Sequence, residues 1–165
     1  MIHYVGDVHQ PLHDIAEVDT KYPKGDAGGN FEHLSKVIDG VNCLHAVWDS
    51  VAYKYAGYPV LPLTEDKYDW YVSESTSIAD EHPIKTSEIK AGDYNAWSQE
   101  SLVIAKSTVY AGFSDPPTEA YKQSAINILG KQISLGGKRL SKIIEDIYGN
   151  KEAHAVASLI TEILQ

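Results

Sequence analysis

Apolar side chains recur along this chain at helical spacing, and the recurrences are separated by stretches rich in proline and glycine. Residues 119–148 place apolar or small side chains on one helix face, which predicts a single long amphipathic helix. Shorter helices are predicted over residues 42–55, 65–80 and 97–113. Residues 1–10 resemble the C-terminal part of a helix, because core positions begin there without a capping residue before them. The pattern therefore predicts a chain made mostly of helices.

Two segments interrupt the helical pattern. Residues 31–41 predict a short two-stranded ribbon that turns at Asp39-Gly40, a dipeptide favoured in hairpin turns. Residues 14–30 predict a loop, in which Gly28 and Gly29 either take a positive φ or allow the close approach of a ligand.

The C-terminal part carries two further signals. Gly136 and Gly137 lie inside the predicted long helix, where glycine lowers helix stability, and this indicates a tight contact between helices. Residues 151–164 repeat the amphipathic pattern and predict one more helix.

Composition limits the classes of protein that remain. With 165 residues, of which 43% are hydrophobic and 22% charged, the chain is typical of one globular domain. It has neither an apolar run of about eighteen residues nor a signal peptide, so no membrane partner is expected. The single cysteine, Cys43, excludes an intrachain disulfide and is interpreted as a small buried residue. A net charge of −9 argues against broad binding of nucleic-acid phosphates by Lys and Arg, although bound metal ions attract phosphate whatever the charge elsewhere.

Histidine is concentrated at the start of the chain, where five of the seven His residues lie within the first 45 positions. His3 and Asp7 are four residues apart, as are His45 and Asp49, and on a helix this spacing puts both side chains on one face. Imidazole nitrogen and carboxylate oxygen are both zinc ligands, at about 2.0–2.2 Å. One such pair alone is more often a surface hydrogen bond. Two pairs together with His13 predict a site for more than one metal ion.

The order of these residues resembles a known family. The chain reads His3-x-x-x-Asp7-x-His-Gln-Pro-Leu-His13, then Gly25-Asp-x-Gly-Gly-Asn30, then Leu44-His-x-Val-Trp-Asp49. This order resembles the zinc-dependent nucleases that include fungal single-strand-specific nucleases, plant bifunctional nucleases and trypanosomatid 3′-nucleotidase/nucleases. The likeness continues in Asn95-Ala-Trp97-Ser-Gln-Glu100-Ser101 and in Gln132-Ile-x-x-Gly136-Gly137-x-Arg139-Leu140, and covers about residues 1–149.

The resemblance implies an all-α, phospholipase C-like fold with three zinc ions in the full-length family. His3 would bind one zinc of a close pair and Asp7 would bridge that pair, which makes both residues catalytic candidates. His13, His45 and Asp49 would hold the third zinc, the one site complete in this chain. The implied activities are hydrolysis of phosphodiester bonds in single-stranded DNA or RNA, with 5′-phosphate products, and 3′-nucleotidase activity on nucleotides. Family members are typically secreted.

The remaining ligands of the paired site lie upstream in the family, so the chain resembles the C-terminal portion of such an enzyme. Residues 1–149 are then the nuclease-like portion, with impaired activity expected, and residues 150–165 an extra helix. Two alternatives stay open. One is a non-catalytic, zinc-stabilised helical domain in which the same three ligands serve folding or partner binding. The other is a zinc phospholipase C-like hydrolase.

Several other side chains have two interpretations. Asn30 belongs either to the turn alone or to substrate binding at the rim of the site. Glu100 is either a carboxylate that orients a ligating His or a plain surface acid. His33 is interpreted as structural or exposed, His82 as a surface residue, and Trp48 as core packing beside the metal.

Overall fold

The computed structural model describes residues 1–56 and 61–149 and confirms the all-α class, with one two-stranded sheet. The predicted helix over residues 151–164 lies outside the described residues. The helices are α1 (Ile2–Asp7), α2 (Leu44–Asp49), α3 (Glu65–Glu81), α4 (Thr86–Ile89), α5 (Tyr94–Ile104) and α6 (Glu119–Ile144), and the strands are β1 (His33–Ile38) and β2 (Val41–Cys43). A 3-10 turn covers Pro11–His13, and π-helical turns cover Ala105–Val109 and Glu145–Gly149. Within the described part, no helix combines the length and the apolar character needed to cross a membrane.

The long predicted helix exists as α6, and α1, α3 and α4 pack against it. Thr118 begins it, because its hydroxyl accepts the backbone N–H of Tyr121 at 3.1 Å. A Cβ at Gly136 would lie 3.3 Å from the His9 ring, so the expected tight contact is confirmed there. The same prediction is wrong for Gly137, where a Cβ would meet no atom within 4 Å.

The main core lies between α2 and the first half of α6. Trp48 is 1% exposed and its indole N–H donates to the Tyr121 hydroxyl at 2.8 Å, which confirms the interpretation of Trp48 as core. Leu44 and Val47 are fully buried beside it, and Cys43 is buried as predicted. Full burial of such a side chain stabilises the fold by about 1.5–3 kcal/mol. This face of α2 is therefore fixed, and the neighbouring face carries His45 and Asp49.

The prediction of a helix as far as residue 55 is wrong, because α2 ends at Asp49. Three residues that follow it take left-handed conformations: Val51 (φ 51°), Ala52 (φ 52°) and Tyr53 (φ 73°). A left-handed residue other than glycine costs about 1–2 kcal/mol. Val51 and Ala52 are buried in the core at 7% and 5% exposure, and their burial offsets that cost. The turn directs the chain away from Asp49 toward α3.

The ribbon and the α5 segment agree with the sequence more closely. β1 and β2 are antiparallel, and Asp39 and Gly40 have φ of 50° and 84°, as the predicted hairpin turn requires. α5 begins three residues earlier than predicted, because Asp93 caps it by accepting the Ala96 N–H at 3.1 Å. His33 is exposed as expected. His82 is not a plain surface residue, because its ring packs where a Cβ at Gly130 would stand, 2.3 Å from Nε2.

Candidate metal centre

Helix α2 presents one pair of candidate ligands. His45 and Asp49 lie one helical turn apart, on the face of α2 next to the one that carries the buried Leu44, Val47 and Trp48. His45 Nε2 is 3.4 Å from Asp49 Oδ2. The core contacts of α2 therefore hold both side chains on its exposed face, as their spacing in the sequence predicts.

His13 reaches the same point from a separate turn of chain. Pro11 opens the 3-10 turn, and the Gln10 side chain caps it by accepting the Leu12 N–H at 2.6 Å. His13 Nε2 then lies 3.6 Å from Asp49 Oδ1. The His13 and His45 rings are stacked, with centroids 5.0 Å apart and planes 11° apart.

The spacing of these three side chains fits a zinc ion. Ligand atoms of His13, His45 and Asp49 all lie within 4.8 Å of one another. Around a tetrahedral zinc with bonds of about 2.1 Å, ligand atoms are separated by about 3.4 Å. His45 Nε2 and His13 Nε2 lie 3.4 Å and 3.6 Å from different oxygens of Asp49, so both rings are within reach of an ion held by this carboxylate. Three protein ligands with a side open to solvent are typical of a catalytic zinc, whereas a structural zinc is enclosed by four. Asp49, with a side chain 50% exposed, faces that open side.

His3 and Asp7 extend the group along α1. His3 Nε2 is 3.0 Å from Asp7 Oδ2, and Asp7 Oδ1 is 3.4 Å from His13 Nδ1. The structure thus brings all five predicted ligands into one chain of contacts, from His3 through Asp7, His13 and Asp49 to His45. The His3 side chain is 81% exposed and is the least constrained of the five. Within the described residues, only the group built on His13 supplies three ligands to one point.

The glycine loop before β1 orients His45, a role that the sequence did not reveal. His45 Nδ1 lies 2.7 Å from the Gly28 carbonyl, and since a carbonyl can only accept, Nδ1 carries the hydrogen. In a neutral imidazole Nε2 is then the nitrogen that keeps a lone pair for a metal ion. A second hydrogen bond of this kind commonly fixes the tautomer and the ring of a metal-binding His.

Asp26 in turn holds that loop. Its carboxylate is 0% exposed and accepts the N–H groups of Gly28 (3.0 Å) and Gly29 (2.8 Å) and the hydroxyl of Tyr110 (2.8 Å). Gly28 and Gly29 have φ of +63° and +82°, so the predicted positive φ is confirmed. A Cβ at Gly28 would lie 2.3 Å from the Leu12 carbonyl. The loop therefore packs against both the turn that carries His13 and the helix that carries His45.

Gln10 is a second residue whose role the sequence did not reveal. Its side-chain amide donates to Asp49 Oδ1 at 2.8 Å while its carbonyl caps the turn that carries His13. Its position could have indicated this role, since Gln10 lies between the candidate ligands Asp7 and His13. One side chain thus links the positions of His13 and Asp49.

A cleft of about 580 Å³ lies over the centre and is lined in part by Asp7, His13 and His45. Asp14, at its wall, accepts the Ser98 hydroxyl at 2.8 Å through Oδ1, and its buried Oδ2 has no partner among the described residues. Burial raises the pKa of this carboxyl. Asn30 is exposed, and its amide donates to the carbonyl of Ala27, which lines the cleft. This contact ties Asn30 into the turn beside a residue that lines the cleft, and its part in substrate binding stays a prediction.

Glu100 does not orient a ligating His. It accepts Arg139 Nη2 at 2.6 Å and Lys90 Nζ at 2.9 Å. Burial opposes ionisation of Glu100, but these hydrogen bonds outweigh it and lower the pKa of its carboxyl. Arg139, 1% exposed, also donates to His9 Nε2 at 2.8 Å, and His9 Nδ1 bonds the Val5 carbonyl at 2.6 Å. Both nitrogens of His9 are therefore engaged within the protein fold, although it stands in the middle of the motif.

No curated protein and no solved structure matches the chain. The sequence profile described as S1/P1 Nuclease matches residues 1–149, nearly the whole of the 165-residue chain. That match spans every candidate ligand and agrees with the helical fold. The chain belongs to the S1/P1 nuclease family.

Proposed function

We propose that this chain binds zinc and hydrolyses phosphodiester bonds in single-stranded DNA or RNA, leaving 5′-phosphate products, and that it also hydrolyses the 3′-phosphomonoester of 3′-nucleotides, releasing inorganic phosphate. His13, His45 and Asp49 hold one zinc, and His3 and Asp7 supply ligands to a neighbouring pair. The observation that carries the proposal is the convergence of the first three residues to mutual distances that suit zinc. Family membership supports the nuclease chemistry, since the S1/P1 nucleases are zinc-dependent in general.

The proposed roles divide between binding and orientation. Zinc at this centre would supply Lewis-acid stabilisation of negative charge on a phosphoryl group, together with activation of water. The protein's part is to fix the ligands before substrate arrives. Gly28 fixes the His45 ring, and Gln10 fixes Asp49. We assign Asn30 to substrate contact, because it lies exposed at the rim of the cleft.

The first experiment measures zinc. We expect purified chain to bind zinc, and the His45→Ala variant to bind it at least about 100-fold more weakly, since even partners of zinc ligands contribute 10–100-fold. His33→Ala is the matched control, because it removes an exposed histidine outside the group. Equal zinc affinity in wild type and His45→Ala would refute the assignment of this ligand.

The second experiment measures hydrolysis of a single-stranded oligonucleotide and of 3′-AMP, with analysis of the product ends. We expect His3→Ala to lose hydrolysis while it keeps the zinc at His13. Asp7→Asn is expected to lose hydrolysis and to bind that zinc more weakly, since Asp7 also contacts His13. Asn30→Ala is expected to weaken substrate binding and leave zinc affinity unchanged. Zinc binding without hydrolysis would favour a non-catalytic helical domain. Hydrolysis of phosphatidylcholine in place of nucleotides would favour a phospholipase C-like enzyme.

We also propose which residues form the nuclease portion and where the protein is located. We assign the nuclease portion to residues 1–149, the range that the family profile matches. We assign the protein to the secreted class, since the enzymes that it resembles are typically secreted. Expression in its own host, followed by assay of zinc-dependent hydrolysis in the medium and in the cell extract, tests this assignment.

A further inference from the structure

One face of α6 is apolar and exposed in the C-terminal half of the helix. Ile133 and Ile144 are 42% and 41% exposed, and Leu140 between them is half-buried. Gly137 lies in the same row, and a Cβ there would meet no atom of the described residues within 4 Å. These four residues follow one another at steps of four, three and four, the spacing of a coiled-coil contact face. We call this row the open face.

A hollow of about 300 Å³ lies between the open face and α1. Ile2 of α1 lines it and is 71% exposed. A Cβ at Gly6, in the same helix, would also meet no described atom within 4 Å. The hollow extends to Gln10 and Asp49 of the metal centre. Apolar surface of this kind is stabilised when another apolar element covers it.

The sequence that follows α6 carries a matching row of apolar residues. Residues 151–164, whose pattern predicts an amphipathic helix, come directly after Gly149 and Asn150. Their apolar positions mirror those of the open face about residue 150, so that each lies as far after Asn150 as its counterpart lies before it. Two antiparallel helices joined by a short turn at this point would bring each such pair to one level. The pairs are Ile147 with Ala153, Ile144 with Val156, Leu140 with Ile160, and Gly137 with Ile163.

The residues between the two rows suit such a turn. Gly149 and Asn150 are of the types that most often end a helix in a left-handed conformation. Antiparallel helices are commonly joined by about 2–5 residues. As a helix, residues 153–163 would span about 15 Å, the same length as residues 137–147. A tether this short holds the segment at an effective concentration in about the millimolar range, which favours it over a second copy of the chain or a separate protein.

We propose that residues 151–164 fold back as a helix antiparallel to α6 and cover the open face and the hollow beside it. Ile160 packs on Leu140, and Ile163 fills the space over Gly137. The residues that line the hollow differ from those that line the cleft over the metal centre, so the docked segment covers the α6 side of Asp49 and leaves the cleft open. The family profile ends at residue 149, so family membership does not imply this contact. The inference does not depend on bound zinc.

The first test measures contact between the two rows in the full chain. We expect the double variant Gly137→Cys, Ile163→Cys to form a disulfide within one chain on mild oxidation, since a disulfide requires Cα atoms within about 7 Å. The double variant Gly137→Cys, Ser158→Cys is the matched control, because Ser158 lies on the outer face of the proposed helix and is nearer to Gly137 in sequence. A segment without a fixed position would close the control at least as readily. Equal or faster closure in the control, measured by mass spectrometry, would overturn the inference.

The second test measures the melting temperature of the full chain without metal. Ile160→Asp is expected to lower it by about 3–12 °C, because one large apolar side chain is no longer buried. Ser158→Asp introduces the same residue on the outer face of the proposed helix and should leave the melting temperature nearly unchanged. The methyl signals of Ile144 should shift in the NMR spectrum of Ile160→Asp and stay in place in Ser158→Asp. Equal melting temperatures and equal spectra in the two variants would contradict the proposed contact.

The third test measures the oligomeric state, which separates the segment from a second copy of the chain. We expect wild type to sediment as a monomer and the disulfide of Gly137→Cys, Ile163→Cys to lie within one chain. A dimeric wild type with a disulfide between two chains would assign the open face to a second copy and overturn the inference. Failure of the proposed function is seen separately, as absence of bound zinc, and leaves these three results unaffected.

Discussion

Asp26 offers a direct test of how this fold positions a zinc ligand. The side chain touches no candidate ligand, and it acts on His45 through the loop: the Gly28 carbonyl meets His45 Nδ1, and the Gly29 carbonyl accepts the His45 backbone N–H at 3.3 Å. Asp26→Asn keeps the shape of the side chain and replaces one acceptor oxygen by an N–H₂ group. Any loss of zinc affinity must then pass through the loop. The substitution therefore separates orientation of the ligand from ligation itself.

The expected loss of stability in Asp26→Asn follows from the four hydrogen bonds that Asp26 accepts. Oδ1 receives the N–H groups of Glu17 and Gly28, and Oδ2 receives Gly29 N–H and the Tyr110 hydroxyl. An asparagine side chain satisfies more donors when its oxygen takes the place of Oδ1, where it accepts from Glu17 and Gly28, and its N–H₂ group faces Gly29. The Tyr110 hydroxyl can rotate to accept, but the buried Gly29 N–H is left without an acceptor. One such loss costs about 1–3 kcal/mol.

The assay compares stability with zinc affinity. We expect Asp26→Asn to lose about 1–3 kcal/mol in urea unfolding of the metal-free chain and about 10–100-fold in zinc affinity. Tyr110→Phe is the matched control, because it removes one donor to the same carboxylate and leaves the backbone contacts of Asp26 in place. It should cost a similar amount of stability, about 1.5–3 kcal/mol, with zinc affinity nearly unchanged. The absorption spectrum of bound Co²⁺ should change only in Asp26→Asn.

Equal zinc affinities in the two variants would refute the reasoning. The orientation of His45 would then be determined by α2 alone, and the hydrogen bond to the Gly28 carbonyl would have no effect on it. A loss of zinc affinity in both variants, in proportion to their loss of stability, would show the same thing. In that case the glycine loop stabilises the fold and has no separate effect on the metal centre.

Three further predictions concern stability. Gly28→Ala should lower the free energy of unfolding by at least about 1–2 kcal/mol, because it combines a left-handed φ with a Cβ 2.3 Å from the Leu12 carbonyl. Ala27→Gly should raise the melting temperature or leave it unchanged, because Ala27 is exposed and has a φ of 55°. Glu100→Gln should cost about 1.5–3 kcal/mol at pH 7, because it leaves the buried Arg139 charge without its carboxylate. Folding lowers the pKa of Glu100, so its contribution to the free energy of unfolding is present above the unfolded pKa of about 4.3 and is lost as the pH falls below that value. The difference in melting temperature between Glu100→Gln and wild type should therefore shrink at low pH. A chelator should lower the melting temperature of the zinc-loaded chain, and added zinc should restore it. Free zinc at 100 times the dissociation constant should raise the free energy of unfolding by about 2.7 kcal/mol.

Sequence reasoning succeeded where the determining contacts are local. The His45 and Asp49 pair depends only on helical spacing, and the structure has both on one face of α2. The Asp39-Gly40 turn depends on two adjacent residues, and α6 on a repeat of apolar positions. Each of these signals lies within a few neighbouring residues of the chain.

It failed where the determining contact joins distant parts of the chain. Asp26 and Tyr110 are 84 residues apart, and neither residue type reveals its partner. Val51, Ala52 and Tyr53 have no turn preference, so a helix was the reasonable prediction for them. Their left-handed turn exists because it buries the first two in the core, a tertiary effect that local pattern does not encode.

His9 shows how the two ends of the family match depend on each other. It stands between the candidate ligands Asp7 and His13, yet its ring is buried. Nδ1 bonds the Val5 carbonyl, and Nε2 accepts from Arg139, which belongs to the last stretch of the family likeness, residues 132–140. Arg139 also donates to the carbonyls of Glu88 and Ile89, so one guanidinium joins α1, α4 and α6. A buried, paired histidine at this position anchors the inner face of the segment. The outer face, with Asp7 and its neighbours, is thereby held toward the cleft, and the two motifs form one structural unit although 130 residues separate His9 from Arg139.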